Sequence, residues 1–473
     1  MDFIVPELPE EVERYLRQYD DLFTRQEQRE HFRLYVAGLI SETHRKNVWQ
    51  IMAKVVEGDY QSGHHFLTEA PWSAEAVNER RLKLWQEEPT TRMRNDGWWV
   101  QDDTGQERRR RGKATREASK QAAVRLTGGT DGVSRQYIGN VGKTSEGMVF
   151  VSTHYADSLK RVPVKADLYW PEKARARLTE IENTARRKRD KIAIALDQLR
   201  WVAKEKKDEK DEKDEKDEKD ENVVGPKPTG VVADSWYGSS PRYLNAINDN
   251  LKWRYVVSIR PNRTIFIRLP GEHGRPAHRA EEVIPSLKAN DFKPVLVRGA
   301  DGREHTVRVV MVNTRHKIKV KGLTHHARLF LCVDDPTRID PEEVQFLLCN
   351  DTRMGWAEVV QAYGLRNWEE VFYRQGKDEL GLDQCEVRHE ERLLRHWVLV
   401  MVTWTMIETF RVRGDLANRS QKELRTFESV VGFVRDLCRW EFWLVWLREE
   451  QHVKRFVKWF CETRGLRVVF DGG

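Results

Sequence analysis

Cysteine is scarce. Five occur in 473 residues (Cys332, Cys349, Cys385, Cys438 and Cys461), and no two stand at CxxC spacing. An odd count in so long a chain excludes a disulfide-stapled scaffold and points to a reducing compartment. Long apolar runs are also missing. The longest, Trp397 to Phe410, is shorter than the roughly 20 residues a membrane span needs, and reads as a buried helix. The N-terminus, MDFIVPELPEEVERYL, is acidic without a long apolar core, so no signal peptide is expected. His64/His65 and His325/His326 are adjacent pairs with diverging side chains and no Cys or acid at zinc spacing, which argues against a zinc site.

What the chain does have is charge and aromatic rings. With 17 Trp, 17 Phe and 12 Tyr it is too rich in rings to remain a solvated coil, although mean hydropathy is −0.72. Its length gives a prior of about three domains. Lys+Arg is 82 against 75 Asp+Glu, a formal charge of +7. The run KEKKDEKDEKDEKDEKDE from residue 204 carries −4 of that, leaving +11 on the rest. Such a balance fits a polyanion partner, and equally ordinary surface charge for solubility.

Residues 1–95 pattern as short helices with basic faces, as in a helical DNA-contacting domain or a plain bundle. At 97 the character changes. GWWVQDDTG reads as a buried strand ending in two carboxylates, followed by an arginine block. SRQYIGNVGK, GMVFVSTHYADS and VPVKADLYW read as further strands, and 172–206 as a long charged helix. The three-residue period of the KDE run matches neither an amphipathic helix nor a strand, and we treat it as an insertion. GVVADSWYG is a strand ending in Asp234. Residues 262–333 alternate repeatedly, as a small antiparallel β region does, and the chain from 354 to about 464 is helical.

Phosphodiester chemistry needs an activated oxygen nucleophile and a stabilised leaving oxygen, which two Mg²⁺ ions supply together. Mg²⁺ favours carboxylate oxygens, so two or three acids in one cleft suffice. Asp102/Asp103, Asp234 and a downstream Glu meet that need. On a wheel of about 100° per residue, Tyr363, Arg366, Arg374 and Lys377 all fall within about 40° of Glu370, while Leu365, Trp368, Val371 and Phe372 lie opposite. One face packs; the other presents an acid among cations and a phenol, which selects Glu370 over Glu369 and Glu379. An amphipathic surface helix with ion pairs gives the same pattern.

Spelled out, that face is Tyr363, two residues, Arg366, three residues, Glu370, six residues, Lys377. It resembles the YREK signature of hairpin-forming DDE transposases of bacterial insertion sequences. The surrounding pieces are similar to the insertion-sequence family 701 group: RKNVWQ (45–50), FLTEAPW (66–72), DDTG (102–105), SRQYIGNVGK (134–143), LYWP (168–171), ADSWYG (233–238), ELGLDQCEVR (379–388) and RLLRHW (392–397). They cover most of 40–410, in family order.

The resemblance implies an α/β (α+β) fold: an RNase-H-like mixed-sheet core interrupted by a β-rich insertion, with helical N- and C-terminal regions. The expected divisions are 1–95 for DNA binding, 96–261 for the first part of the core (with the basic loop 106–133 and the KDE run 204–222), 262–345 for the insertion, 346–412 for the second part of the core, and 413–473 for DNA contact or dimerisation. It implies Asp103, Asp234 and Glu370 as the catalytic and metal-binding triad, holding two Mg²⁺ ions or Mn²⁺ in their place. Asp103 is preferred over Asp102 because the family's acid directly precedes Thr. Tyr363, Arg366, Lys377 and Arg374 would contact DNA, as would Arg108, Arg109, Arg110, Arg111, Arg135, Lys143, Arg45 and Lys46. Trp253 is the candidate aromatic for a flipped base, with a core position as the alternative.

The implied activity is cut-and-paste transposition: hydrolysis at an element end, attack of the freed 3′-OH on the opposite strand to give a hairpin, opening, and joining to target DNA. The implied partners are double-stranded DNA, as terminal inverted repeats and target, and a second copy of the chain as a homodimer. No membrane is implied, and the setting is the bacterial cytoplasm and nucleoid. A catalytically inactive DNA-binding derivative, or an RNase-H-like endonuclease without strand transfer, are the alternatives.

Two segments depart from the family pattern: the KDE run, and Gln106–Val133, which is long and carries Arg108–Arg111. The arginine block is either an extra phosphate clamp or an unstructured loop. If it is a clamp, deleting its four arginines lowers the salt slope of DNA binding by up to about 3–4 units, and an unchanged slope refutes the clamp.

Overall fold

The computed structural model describes residues 8–43, 45–52, 60–108, 130–175, 189–203, 229–298, 304–312, 317–414, 416, 420 and 424–446. The KDE run, Arg109, Arg110, Arg111 and everything after Trp446 lie outside the described residues. In chain order the main helices are α1 (Glu10–Arg17), α2 (Gln26–Ile40), α3 (Tyr60–Thr68), α4 (Ala74–Glu87), α5 (Lys191–Ala203), α6 (Ser235–Gly238), α7 (Pro241–Asn245), α8 (Trp356–Gly364), α9 (Asn367–Leu380), α10 (Glu390–Arg413) and α11 (Phe427–Trp446). Of the long helix expected over 172–206, the described parts are a turn at Glu172–Arg175 and α5.

The chain divides into two compact units. One gathers residues 1–81, 375–387 and 391–473; the other holds 82–374 and 388–390. The first unit thus gathers N-terminal helices with C-terminal ones.

The first unit is helical and aromatic. Phe23 meets Phe32 at 4.9 Å between ring centroids, and Phe66 stacks on Trp72 at 5.3 Å. In α10 the whole stretch Trp397–Phe410 is buried, as its apolar run required. Its three threonines are tolerated there because each finds a partner, Thr403 Oγ1 donating to Leu399 O at 2.9 Å, Thr409 Oγ1 donating to Thr405 O at 2.7 Å and Thr405 Oγ1 accepting from Arg81 at 3.0 Å. Among the described residues no helix is long and apolar enough to cross a membrane.

The second unit is built on one mixed sheet. Its strands are β1 (Trp98–Glu107), β2 (Ser134–Ile138), β3 (Lys143–Ala156), β4 (Arg161–Tyr169), β5 (Gly230–Ala233), β6 (Arg254–Ile259), β7 (Thr264–Phe266), β8 (Ala277–Arg279), β9 (Lys293–Arg298), β10 (Glu304–Met311), β11 (Ile318–Val320), β12 (His326–Val333) and β13 (Gln345–Cys349). β4, β3 and β1 pair antiparallel, and β5 and β6 follow β1 in parallel. The order β4-β3-β1-β5-β6 is the RNase-H-like arrangement, with α5 leading back into β5. GVVA in β5 and YVV in β6 are uninterrupted apolar runs because both sheet faces are covered there.

Two features differ from expectation. β1 does not end at its carboxylates. It continues to Glu107 because β3 is long enough to pair with it as far as Gly147. The insertion strands also do not form a sheet of their own: β13 pairs with β12 on one side and with β6 on the other, which joins them to the core ladder.

Gly238 ends α6 against β6, where a Cβ would collide with the Ser258 carbonyl oxygen. Gly238→Ala is expected to cost about 1–3 kcal/mol or more by forcing α6 off the sheet. A lowered Tm checks it; an unchanged Tm refutes the contact.

Candidate active site

Strand alternation separates the two neighbouring aspartates of β1. Gln101 faces α5, where its amide donates to Ala195 O at 2.7 Å and to Thr153 Oγ1 at 2.9 Å. Asp103, two residues on, shares that face, and Lys191 at the start of α5 donates to its Oδ2 at 3.0 Å. Asp102 points to the other face and accepts from Arg366 Nη1 at 2.7 Å. Asp234 follows β5 directly. The register Gln101↔Ala233 sets it level with Asp102. Its Oδ1 caps α6, accepting from Trp236 N at 2.9 Å and Tyr237 N at 3.2 Å.

These acids crowd one another. Burial, reinforced by the charges of Asp234 and Asp103, pushes the Asp102 carboxyl up to about 7, against the pull of Arg366. Asp234 is raised too, by burial first and also by Asp103, with the two capping N–H groups and Arg366 opposing.

The expected helical face from 363 to 377 is broken. Tyr363 belongs to the last turn of α8, Leu365 and Arg366 form a tight turn with Arg366 N donating to Tyr363 O at 3.0 Å, and α9 begins at Asn367. One wheel therefore does not describe Tyr363 and Glu370. Arg366 still reaches Glu370 Oε1 as an i,i+4 pair while it holds Asp102. Burial works against its charge, but Asp102, Tyr363 and Glu370 hold the guanidinium firmly protonated. Glu370 is 58% exposed and Arg374 is exposed. Lys377 lies in the other unit, where burial lowers its pKa against Asp383 and Asp378.

Glu369 is 0% exposed. Its Oε1 accepts from Ser152 Oγ at 2.9 Å and Tyr373 OH at 2.7 Å, with His154 Nε2 3.4 Å away. Burial, then the Asp102 charge, raises its pKa far above the usual carboxylate range. Ser152 is the β3 partner of Asp102, so this network lies directly beneath the site.

The family described as DDE superfamily endonuclease matches residues 18–308, more than half of the chain. The chain belongs to that family. It is also 28% identical over 379 residues to a probable transposase for insertion sequence element IS701 from Microchaete diplosiphon, covering 80% of this chain and 82% of that protein.

A DDE endonuclease implies a divalent metal, and the donors here fit one in kind: half-buried aspartates on and just beyond adjacent strands. Their arrangement does not yet fit. Among the described residues no three acids or other ligands converge at metal-holding positions. Asp102 and Glu370 are turned to Arg366, and Asp103 to Lys191.

Other expected residues of the endonuclease scatter. Arg108 follows β1, its backbone N–H donating to Glu146 O at 3.0 Å; Arg135 and Lys143 are exposed on β2 and β3. Arg45 is exposed, 3.7 Å from Glu386. Lys46, expected on the surface as a DNA contact, is turned inward. It is 5% exposed and its ammonium donates to the Leu39 carbonyl at 2.6 Å and to the Glu379 carbonyl. Trp253 is 6% exposed, a core residue with no free face for a base. Trp236 is 39% exposed, two residues after Asp234, with Lys191 Nζ 5.4 Å from its ring centroid. Sequence reasoning missed Trp236, Lys191 and Glu369. Trp236 had a signal, as the aromatic directly beyond the acid in ADSWYG.

Burial lowers Lys46 from 10.5 to about 7, with Arg435 adding repulsion. The unfolded chain then binds more protons than the folded one between those values, so stability rises with pH across that window. Lys46→Met should therefore gain most over the native chain at about pH 6 and lose that gain by about pH 9–10. Thermal melts across this range check it; a pH-independent difference refutes it.

Proposed function

We propose that this DDE endonuclease is a transposase that moves an insertion sequence by cut-and-paste, through a hairpin intermediate. The observation that supports the reading is a set of carboxylates from distant parts of the chain paired with cations suited to phosphate, Asp103 of β1 with Lys191 and Asp102 of β1 and Glu370 of α9 with Arg366, while Asp234 just beyond β5 feels the Asp103 charge.

In this reading Asp103, Asp234 and Glu370 would hold the metal. A bound divalent cation supplies Lewis-acid stabilisation of the phosphoryl oxygens and lowers the pKa of water. The protein's own groups do the rest. Asp234 is fixed by its capping bonds, so its carboxylate needs no reordering on binding. Arg366 can pair a phosphate bidentately, Arg374 adds a second guanidinium fork, and Tyr363 supplies a phenol at the turn, while Lys377 would meet DNA as a point charge on its own unit. We assign base stacking to exposed Trp236 instead of buried Trp253, since an unstacked base needs an accessible aromatic face. DNA ends would be paired by a homodimer, as the two-ended reaction requires.

Purified protein, Mg²⁺ and labelled element ends test this. Hairpins and joined products are expected. Nicks alone favour an endonuclease without strand transfer, and binding alone an inactive derivative. Asp234→Ala should abolish cleavage while leaving DNA binding nearly intact; retained cleavage refutes the triad.

A further inference from the structure

The acids of the site are already neutralised from within. Arg366 bonds Asp102 at 2.7 Å and also holds Glu370; Lys191 bonds Asp103 at 3.0 Å. Both cations are largely buried, with side chains 20% and 18% exposed, so their pairs with Asp102 and Asp103 are not solvent-screened surface pairs. Each comes from a different helix region, on opposite faces of β1. Lys191 is further enclosed by aromatic rings, its Nζ 5.6 Å from the Tyr169 centroid and 5.4 Å from that of Trp236. Nothing in the sequence assigned Lys191 a role.

We propose that Lys191 and Arg366 are resting counter-ions which keep the carboxylates from metal until DNA phosphates draw the two cations away. This rests on the metal-binding reading above. A carboxylate held in a charge-assisted hydrogen bond is not free to ligate, and moving Arg366 releases acids on two elements at once. A phosphate is the natural competitor, because guanidinium and ammonium groups exchange a carboxylate for a phosphate without leaving a charge bare. DNA and divalent metal must then strengthen each other's binding, by the same factor in either order. Free protein would stay metal-poor and unable to cut without a substrate in place.

The test is Mn²⁺ binding to the full-length protein, read by electron paramagnetic resonance of free Mn²⁺, with and without a short duplex carrying an element end. The native chain should bind Mn²⁺ about 5–150-fold more tightly with the duplex than without it. Arg366→Gln and Lys191→Gln should each raise Mn²⁺ affinity of the DNA-free protein and shrink the DNA effect. Unchanged or weaker DNA-free affinity in both variants, with the native coupling absent, overturns the proposal. The coupling in the native chain needs no variant, so a misfolded substitution leaves the test intact. Asp234→Asn separates the two readings. If it abolishes Mn²⁺ binding while the coupling is absent, the metal site stands and the counter-ion role falls. If Mn²⁺ binding persists in Asp234→Asn, the metal site itself is wrong.

Discussion

Negative charge pressed against an apolar sheet is the constraint on which this structure turns. Asp102 lies on β1 and Asp234 just beyond its parallel neighbour β5, whose Val231, Val232 and Ala233 are fully buried. Like charges so placed repel one another and lack water. The fold answers with fixed positive ends: the N–H groups of α6 on Asp234, the guanidinium of Arg366 on Asp102, and the ammonium of Lys191 on Asp103. α5, α6 and the α8–α9 turn are where they are because each delivers one of these partners to the sheet. A site so balanced is stable at rest and ready to trade its cations for others.

Much of the fold was legible. Alternation marked β2, β3, β4 and most insertion strands, and the apolar run of α10 was buried as its composition demanded. The ends of elements were less so. Whether β1 stops at Asp103 depends on how far β3 runs, and that is a property of a partner 40 residues away. The tight turn at Leu365–Arg366 follows no strong breaker besides Gly364, and a helical wheel assumes that no such turn exists.

In the site, residue types were readable but their facing was not. Strand alternation turns Asp102 and Asp103 to opposite sides, but which side meets α5 shows only in the bond from Gln101 to Ala195 O. The wheel sets Glu369 aside in favour of Glu370, yet Glu369 is the buried one, with Ser152, Tyr373 and His154 gathered on its Oε1 and no partner for its Oε2 among the described residues. Lys46 reads as a DNA contact because lysines are usually solvated. Two backbone carbonyls, from Leu39 and Glu379, take its ammonium inward instead.

The double pairing of β13, with β6 on one side and β12 on the other, has an effect on what the chain can become. A parallel β6 without that neighbour would present an open row of N–H and C=O groups, apolar on both faces, to any other chain. The insertion thus caps a sheet edge as well as interrupting the core. Its root is hydrogen-bonded into the core ladder, and losing it would leave β6 as an aggregation-prone edge.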